Sequence, residues 1–383
     1  MRIGYISTWF PTACGIANFT HDLATHFSNN TKPSSDFGVI ATSYATGNKY
    51  DKRVVFDINV HKQKTFDEAS DFINQSTYDV IALQHEFDIF DNDPFGHENL
   101  INLCDSIKKP LVLTVHGLFT PNKCGSTFEV KKIIAQKLCE SASKVVVMTD
   151  QAVKNLVDYA GIERSKIACI PHGSHPFPIK SNLSALRKKY GLPQKSLIFG
   201  TSGFFWKGKG IDQQIKAFSE FATNRPDVCL WLCGSPHPQM DKNRTDFKSL
   251  QNLIAKSGCS EQILVTEKFF STAELEEVFS LIDVYINTNL WHDQGDCSGT
   301  LAYALGAGKS IIAYDFMHAR EALTDQMGKL VPVGNIQALT NAMTQMKEDP
   351  KFRALCAKNA LEYGEKIHWP NIVSLYKNLY LSI

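Results

Sequence analysis

Strand-like and helix-like sequence patterns alternate along most of this 383-residue chain, and that alternation constrains its fold more than any other feature. Short runs rich in Val, Ile and Leu are followed by a polar loop and then by an amphipathic helical segment. Such alternation predicts parallel, doubly wound α/β sheets. The strand-like runs are 2–7, 37–41, 54–60, 79–84, 111–115, 144–148 and 167–170 in the first half, and 196–200, 228–233, 262–266, 283–287, 310–314 and 329–331 in the second.

The alternation stops at a polar, proline-bearing segment, Pro171–Asn182, and then restarts, which indicates a linker between two domains. We predict Rossmann-like domains at residues 1–176 and 177–350, followed by C-terminal helices at 351–383 that cross back to the first domain. Two such domains leave a cleft between them, and interdomain clefts are favoured ligand sites.

Composition argues against several classes of function. Forty basic residues against 39 acidic ones give a formal charge of +1, so no global field attracts nucleic acid or anionic lipid. The 10 cysteines include no CxxC pair, which argues against a zinc site and against a disulfide scaffold. Several cysteines lie in apolar runs, and such buried thiols predict a reducing compartment. The first residues lack a signal-peptide pattern, and no run reaches about 18 apolar residues. We therefore expect a cytoplasmic protein, with contact to the inner membrane face left open.

A polar loop at 291–298 follows the strand at 283–287 and leads into a helical run. Ser298, Gly299 and Thr300 stand at the predicted helix start, where unpaired amides and the helix dipole favour an anion such as a diphosphate. A capped connection that holds no ligand is the alternative, and this stretch alone leaves both open.

A glycine-rich loop, residues 200–210, follows the first strand of the second half and precedes a helix. Its glycines, Gly203 among them, permit a tight turn. Lys209 can offer positive charge to a phosphate near the helix start, and Lys207 is the second candidate for this role. A solvated lysine is the alternative. The loop lacks the Walker spacing, and its place after a strand favours phosphate binding.

Polar residues also follow strands of the first half. Gly15 opens a helix after the first strand, but the spacing of the GxGxxG fingerprint is missing, which weakens a dehydrogenase hypothesis. His116 ends the strand at 111–115, and Glu86 ends another strand within the triplet QHE. A lone histidine at such a point usually serves packing or capping, whereas two polar clusters at one sheet edge favour a ligand site.

The predicted helix at 128–139 presents Lys131, Lys132 and Lys137 at its polar positions. Such a face is able to bind anionic lipid or a phosphorylated acceptor. A solvated charged face explains the pattern more simply, and we favour that interpretation.

Five motifs, in this order along the chain, resemble those of retaining glycosyltransferases of family 4, which have the GT-B fold. They are CGIA at 14–17, HG at 116–117, IPHG at 170–173, KG at 209–210 and SGTLAYALGAGK at 298–309. The resemblance spans essentially the whole chain and is nearest to bacterial members with QHE and SGTLAYA. It implies two Rossmann-like domains facing across a cleft. The implied reaction transfers a sugar from a nucleotide-sugar donor with retention at the anomeric carbon.

The resemblance also implies roles for residues of the donor site. Gly15 would lie by the donor phosphates, His116 would contact the transferred sugar, and Lys209 would neutralise the diphosphate. Ser298, Gly299 and Thr300 would cover the sugar and phosphate, and Lys268 and Phe269 would hold the base. From the glycine-rich loop itself we add Gly203 and Lys207 as candidate donor contacts. Asp296 and Glu86 join His116 as candidates for holding the sugar.

One departure from the family pattern concerns a pair of glutamates eight positions apart, the second of which binds the donor ribose. Gly295 and Tyr303 stand in those two positions. Asp293 and Asp296 are the candidates for the missing carboxylate, and the Tyr303 hydroxyl is the candidate for the ribose contact.

A second departure lies in the lysine loop. The arginine that the family has five residues before Lys209 is Phe204 in this chain. Lys207 is able to supply the missing positive charge.

The expected enzyme is a metal-independent hexosyltransferase of polysaccharide biosynthesis, with no cofactor beyond its donor. The resemblance favours a GDP-sugar, with GDP-mannose first, over a UDP-sugar, and a glycan or lipid-linked acceptor. Two alternatives stay open: a sugar-nucleotide epimerase on the same fold, and a nucleotide-sugar-binding protein whose transferase site has decayed.

Overall fold

The computed structural model describes residues 1–29, 37–44, 48–90, 94–117, 120–178, 180–238, 241, 243–290, 297–324 and 326–383. Within these residues the chain forms two compact units. The first contains residues 1–173, 297–299 and 369–383, and the second contains residues 174–290 and 300–368.

In the described part of the first unit, seven parallel strands form one sheet. They are β1 (Ile3–Ser7), β2 (Phe37–Ser43), β3 (Val54–Asn59), β4 (Val80–His85), β5 (Leu111–Val115), β6 (Lys144–Val147) and β7 (Ile167–Cys169). Their order is β3-β2-β1-β4-β5-β6-β7, so the direction of winding reverses between β1 and β4. Every residue of β1, β4 and β5 is buried, as expected for strands covered on both faces.

Helices connect these strands. They are α1 (Gly15–Asn29), α2 (Gln63–Gln75), α3 (Pro94–Ser106), α4 (Pro121–Cys124), α5 (Phe128–Ser141) and α6 (Asp150–Ala160). Helices α2, α3, α5 and α6 share an apolar core with the strands. Leu138 of α5 and Leu156 of α6, for example, are buried in the same cluster as Leu113 of β5. α6 begins where the Thr149 hydroxyl accepts a hydrogen bond from the Ala152 amide at 3.1 Å.

The second unit repeats the architecture with six parallel strands in its described part. They are β8 (Leu197–Phe205), β9 (Val228–Pro236), β10 (Ile263–Glu267), β11 (Val284–Asn287), β12 (Ser310–Tyr314) and β13 (Gly328–Val331). Their order is β10-β9-β8-β11-β12-β13, so the winding reverses between β8 and β11. The prediction of two parallel, doubly wound sheets is confirmed.

The helices of the second unit are α7 (Leu183–Lys189), α8 (Ile211–Ala222), α9 (Thr245–Ala255), α10 (Thr272–Leu281), α11 (Gly299–Gly306), α12 (Met317–Ala322), α13 (Ile336–Glu348) and α14 (Pro350–Lys366). Ile215 and Phe218 of α8 pack with Met343 of α13 in the core of this unit. A capping box between Ser271 and Glu274 starts α10.

The chain then returns to the first unit as α15 (Trp369–Leu381), which packs on α1. α14 instead packs on β12 of the second unit. The segment 351–383, predicted as one C-terminal extension, therefore divides between the two units. The boundaries at 176 and 350 stay predictions.

All the predicted strands are present, with one difference that matters for the site. β8 continues to Phe205 because it stays paired with β9 as far as Phe205 opposite Pro236. Gly203 and Phe204 therefore belong to a strand, where the sequence predicted a loop. Helices α2, α4, α7 and α12 were not predicted. α2 is largely polar, α7 buries one leucine, Leu186, and α4 and α12 are only 4 and 6 residues long.

No disulfide joins cysteines in the described parts of the chain. Across the same residues, we find no helix whose length and apolar character would let it cross a membrane.

Gly364→Ala should lower the free energy of unfolding by about 1–3 kcal/mol, as overpacking does. An added Cβ would lie 2.4 Å from the Leu305 carbonyl oxygen and 2.6 Å from Gly306 Cα, so α14 would have to move away from α11. Urea denaturation measures the loss. Gly15→Ala is the matched control, since a Cβ there meets nothing within 4 Å. Equal effects of the two substitutions would contradict this packing.

Candidate functional site

A small cavity lies at the carboxyl edge of the second sheet, at the point where the winding reverses between β8 and β11. Open α/β sheets bind ligands at such switch points. Aromatic rings and one aliphatic side chain form part of the lining. The polar lining residues are Thr201, Ser202, Lys209, Gln214, Asn287, Thr288 and Thr300. The structure therefore brings together two predicted site residues, Lys209 and Thr300.

The backbone around Lys209 is held by neighbouring segments. After β8 the chain makes a 3₁₀ turn over Lys207–Lys209, and Gly210 adopts a left-handed conformation with φ of 59° before α8 begins. The Leu290 amide donates to the Gly208 carbonyl at 2.9 Å, and the Thr288 hydroxyl donates to the Lys209 carbonyl at 2.8 Å. Lys209 therefore extends from a fixed turn.

Lys207 does not line this cavity. It is exposed, and its backbone amide donates to the Asp246 carboxylate at 2.9 Å. Phe204, which stands where the resemblance expects arginine, does line the cavity. Its ring stacks on Phe269 with centroids 5.4 Å apart and contacts His237 at 4.9 Å. This side of the cavity is aromatic rather than cationic.

The start of α11 approaches β8 at Thr300. Gly203 has φ of 118°, and an added Cβ there would lie 3.3 Å from Thr300 Cγ2. Tyr303, one turn later, is 8% exposed and packs against His175 and Phe177 at centroid distances of 5.5 Å and 5.8 Å. Tyr303 is not among the residues that line the cavity. This packing does not support the predicted contact with the ribose, which stays a prediction.

Lys268 and Phe269 follow β10. The ammonium group of Lys268 forms a hydrogen-bonded salt bridge with Glu274, which lowers the pKa of that carboxyl to about 2. The phenyl ring of Phe269 is 37% exposed and stacks on Phe204. Of these two predicted base-binding residues, the aromatic one therefore presents an open surface, while the charge of the lysine is already paired.

His116 follows β5 in the first unit and is half-buried. Its Nε2 donates to Gln84 Oε1 at 2.8 Å, and its ring meets Phe19 edge-on with centroids 4.7 Å apart. Burial, together with a smaller effect of the nearby His172, lowers the pKa of His116 to about 3. The imidazole is therefore neutral at physiological pH, and Nδ1 is its hydrogen-bond acceptor.

Glu86 and Gly15 occupy the same sheet edge, after β4 and β1. One carboxylate oxygen of Glu86 accepts from the Asp88 amide at 3.1 Å and caps a 3₁₀ turn, Phe87–Phe90. The other lies against Gly117, where an added Cβ would meet it at 2.1 Å. Gly15 is exposed at the start of α1, and an added Cβ would meet no atom within 4 Å.

His172 of the IPHG motif was given no role by sequence reasoning. Its Nδ1 donates to the Gly173 carbonyl at 2.7 Å, and its Nε2 lies 2.9 Å from the position of an added Cβ on Gly299. The imidazole therefore lies against Gly299, which belongs to the same unit. Ser298, the residue before Gly299, is buried.

Two further residues of the cavity, Thr288 and Gln214, were also missed. Thr288 comes directly after β11, and a polar residue at that point is a usable sequence signal. Gln214 lies inside α8, where its sequence context resembles any amphipathic helix. Asp293, Gly295 and Asp296 lie outside the described residues.

His116→Gln should flatten the pH dependence of the free energy of unfolding between about pH 7 and pH 4. In the unfolded chain a histidine titrates near 6.5, so with a native pKa of about 3 the unfolded state binds more protons in this window. Stability therefore falls as pH falls, by up to about 1.4 kcal/mol per pH unit for one proton. Urea denaturation at several pH values measures the slope. The variant His61→Gln, at an exposed histidine, should keep the wild-type slope. Equal slopes for wild type and His116→Gln would contradict the burial of His116.

Residues 184–363 match the family described as Glycosyl transferases group 1. D-inositol 3-phosphate glycosyltransferase of Corynebacterium aurimucosum is 22% identical over 292 residues, which cover 71% of this chain and 66% of that protein. The enzyme of the same name from Corynebacterium urealyticum is 22% identical over 264 residues, covering 66% and 60%. Each match spans less than two thirds of the relative's length.

Solved structures with this fold align over the whole chain. HepE of Anabaena, solved in complex with UDP and glucose, has a TM-score of 0.79 at 17% identity, with 100% of both chains covered. Sucrose-phosphate synthase of Thermosynechococcus elongatus has a TM-score of 0.78 at 15% identity, again with 100% of both covered. The fold is that of GT-B glycosyltransferases, as predicted.

Proposed function

We propose that this protein is a retaining glycosyltransferase that moves a hexose from a nucleoside diphosphate sugar to a glycan or lipid-linked acceptor. The observation that supports this most strongly is the joint presence of Lys209 and Thr300 in the cavity at the switch point of the second sheet. A cation and the first turn of a helix meet there, as a diphosphate requires.

The chemistry follows from the charges that develop during transfer. As the bond to the sugar breaks, negative charge accumulates on the leaving diphosphate, and an enzyme accelerates the reaction by stabilising that charge where it forms. The ammonium group of Lys209 and the first amides of α11 are able to do this with no metal ion. Metal-independent transfer is therefore part of the proposal.

The proposed roles in the first unit follow the resemblance and the geometry of each residue. His116 is neutral, and its Nδ1 is able to accept a hydrogen bond from a sugar hydroxyl. Glu86 and Asp296 remain proposed to hold the sugar. Glu86 would hold the sugar while one of its carboxylate oxygens still accepts the hydrogen bond from the Asp88 amide.

The base of the donor stays a proposal. Sequence resemblance favours a GDP-sugar with mannose as the transferred group, whereas HepE was solved in complexes with UDP and with UDP-glucose. The aromatic side formed by Phe204 and Phe269 suits stacking on either base. Both donor classes therefore belong in the assay.

One observation gives support to a binding protein without turnover: Phe204 replaces the expected arginine, so the cavity has less positive charge than the family pattern provides. An epimerase is the other alternative.

Incubation with UDP-glucose and with GDP-mannose, with and without crude glycan acceptors, distinguishes the transferase from the epimerase and from the binding protein. Acceptor-dependent nucleotide release supports the transferase, an isomerised donor indicates an epimerase, and binding without turnover indicates a decayed site.

Lys209→Ala should reduce turnover of the accepted donor by roughly tenfold or more while the unfolding midpoint stays unchanged, because charge stabilisation at the leaving group is lost. Lys207→Ala is the matched control. It removes an equal charge from the same turn, but from a residue that does not line the cavity, and should reduce turnover by less than about threefold. Retained activity in Lys209→Ala would refute the phosphate assignment.

A further inference from the structure

A buried chain of hydrogen bonds runs from α8 to the backbone of Lys209. Gln214 Nε2 donates to the Thr288 hydroxyl at 2.7 Å. That hydroxyl donates to the Lys209 carbonyl at 2.8 Å, with the Gly210 carbonyl at 3.2 Å as a second acceptor. Gln214 and Thr288 are each 1% exposed, so these bonds are shielded from bulk water. The segment after β11 is thereby joined both to the lysine turn and to the helix that follows that turn.

We propose that Thr288 and Gln214 are positioning residues for Lys209: they fix the backbone of its turn so that the ammonium group is presented to the diphosphate of the donor. This inference rests on the proposed function. It adds two residues that neither sequence motifs nor resemblance indicated.

The close fit between the two segments supports a positioning role for Thr288. Gly210 has φ of 59°, and an added Cβ there would lie 2.5 Å from the Thr288 carbonyl oxygen. The Leu290 amide also bonds to Gly208, so the segment after β11 contacts the turn through backbone as well as side chain. A turn fixed before the ligand arrives loses less conformational freedom on binding.

Gln214 indicates that stability alone does not explain this chain of bonds. Its Oε1 is buried beside the cavity and has no hydrogen-bond partner among the described residues. An unsatisfied buried acceptor destabilises a protein, whereas a leucine at this position of α8 would fill similar space without that cost. A buried amide that lowers stability is expected where it contributes to ligand binding.

Nucleotide affinity tests the role of Thr288. Calorimetry with UDP and with GDP should show that Thr288→Val weakens binding of the preferred nucleotide by roughly three- to tenfold, as loss of one buried hydrogen bond does. Thr288→Ser, which keeps the hydroxyl, should stay within about twofold of wild type. Thr340→Val is the matched control, because Thr340 is also buried in the second unit and donates to the Ile336 carbonyl at 3.1 Å away from the cavity. It should leave affinity unchanged.

Coupling to Lys209 separates positioning from a general loss of structure. If Thr288 acts through the lysine, then adding Thr288→Val to Lys209→Ala should weaken binding by no more than about a further twofold. Independent, multiplying effects would overturn the inference. Wild type that binds neither UDP nor GDP would overturn the proposed function, and the inference with it.

Two measurements bear on the inference when no nucleotide is present. Hydrogen exchange of a peptide covering 205–211 should accelerate in Thr288→Val and not in Thr340→Val, since the turn has lost its restraint. Gln214→Leu should keep or raise the unfolding midpoint while weakening nucleotide binding by about two- to fivefold. A lower unfolding midpoint with unchanged nucleotide affinity in Gln214→Leu would show that the amide is structural. Unchanged hydrogen exchange in Thr288→Val would show that the hydroxyl does not hold the turn. Either result contradicts the proposal.

Discussion

The common direction of the strands is the constraint on which the rest of this structure depends. Because each sheet is parallel throughout its described part, the carboxyl ends of its strands meet at one edge, and the loops that follow them meet there too. In the second unit this edge brings the turn after β8 beside the residues after β11 and the start of α11. A lysine, hydroxyls and the first turn of a helix thus become neighbours although they are about 90 residues apart in the chain.

Much of this arrangement was predictable from the sequence because it depends on local patterns. Strand runs and helical periods can be recognised within a few residues, and strand direction then follows from their alternation. Lys209 and Thr300 could be placed together for the same reason, since each follows a strand on one side of the switch point. The family description of residues 184–363 agrees with the motifs that suggested a glycosyltransferase.

Features set by long-range contacts could not be predicted. The bond between Gln214 and Thr288 joins residues 74 positions apart, and nothing local distinguishes this glutamine from a solvated one. Lys268 is paired with Glu274 on the next helix, a contact that depends on how the chain turns after β10. The position of Tyr303, packed on aromatic residues rather than lining the cavity, likewise depends on the packing of α11.

The central claim is that a nucleoside diphosphate binds at the carboxyl edge of the second sheet. Crystals of the protein soaked with UDP or GDP test it most directly. The account predicts diphosphate density within hydrogen-bonding distance of Lys209 Nζ and the first turn of α11, with Thr288 still bonded to the lysine turn. Diphosphate density at any other place on the molecule would contradict it.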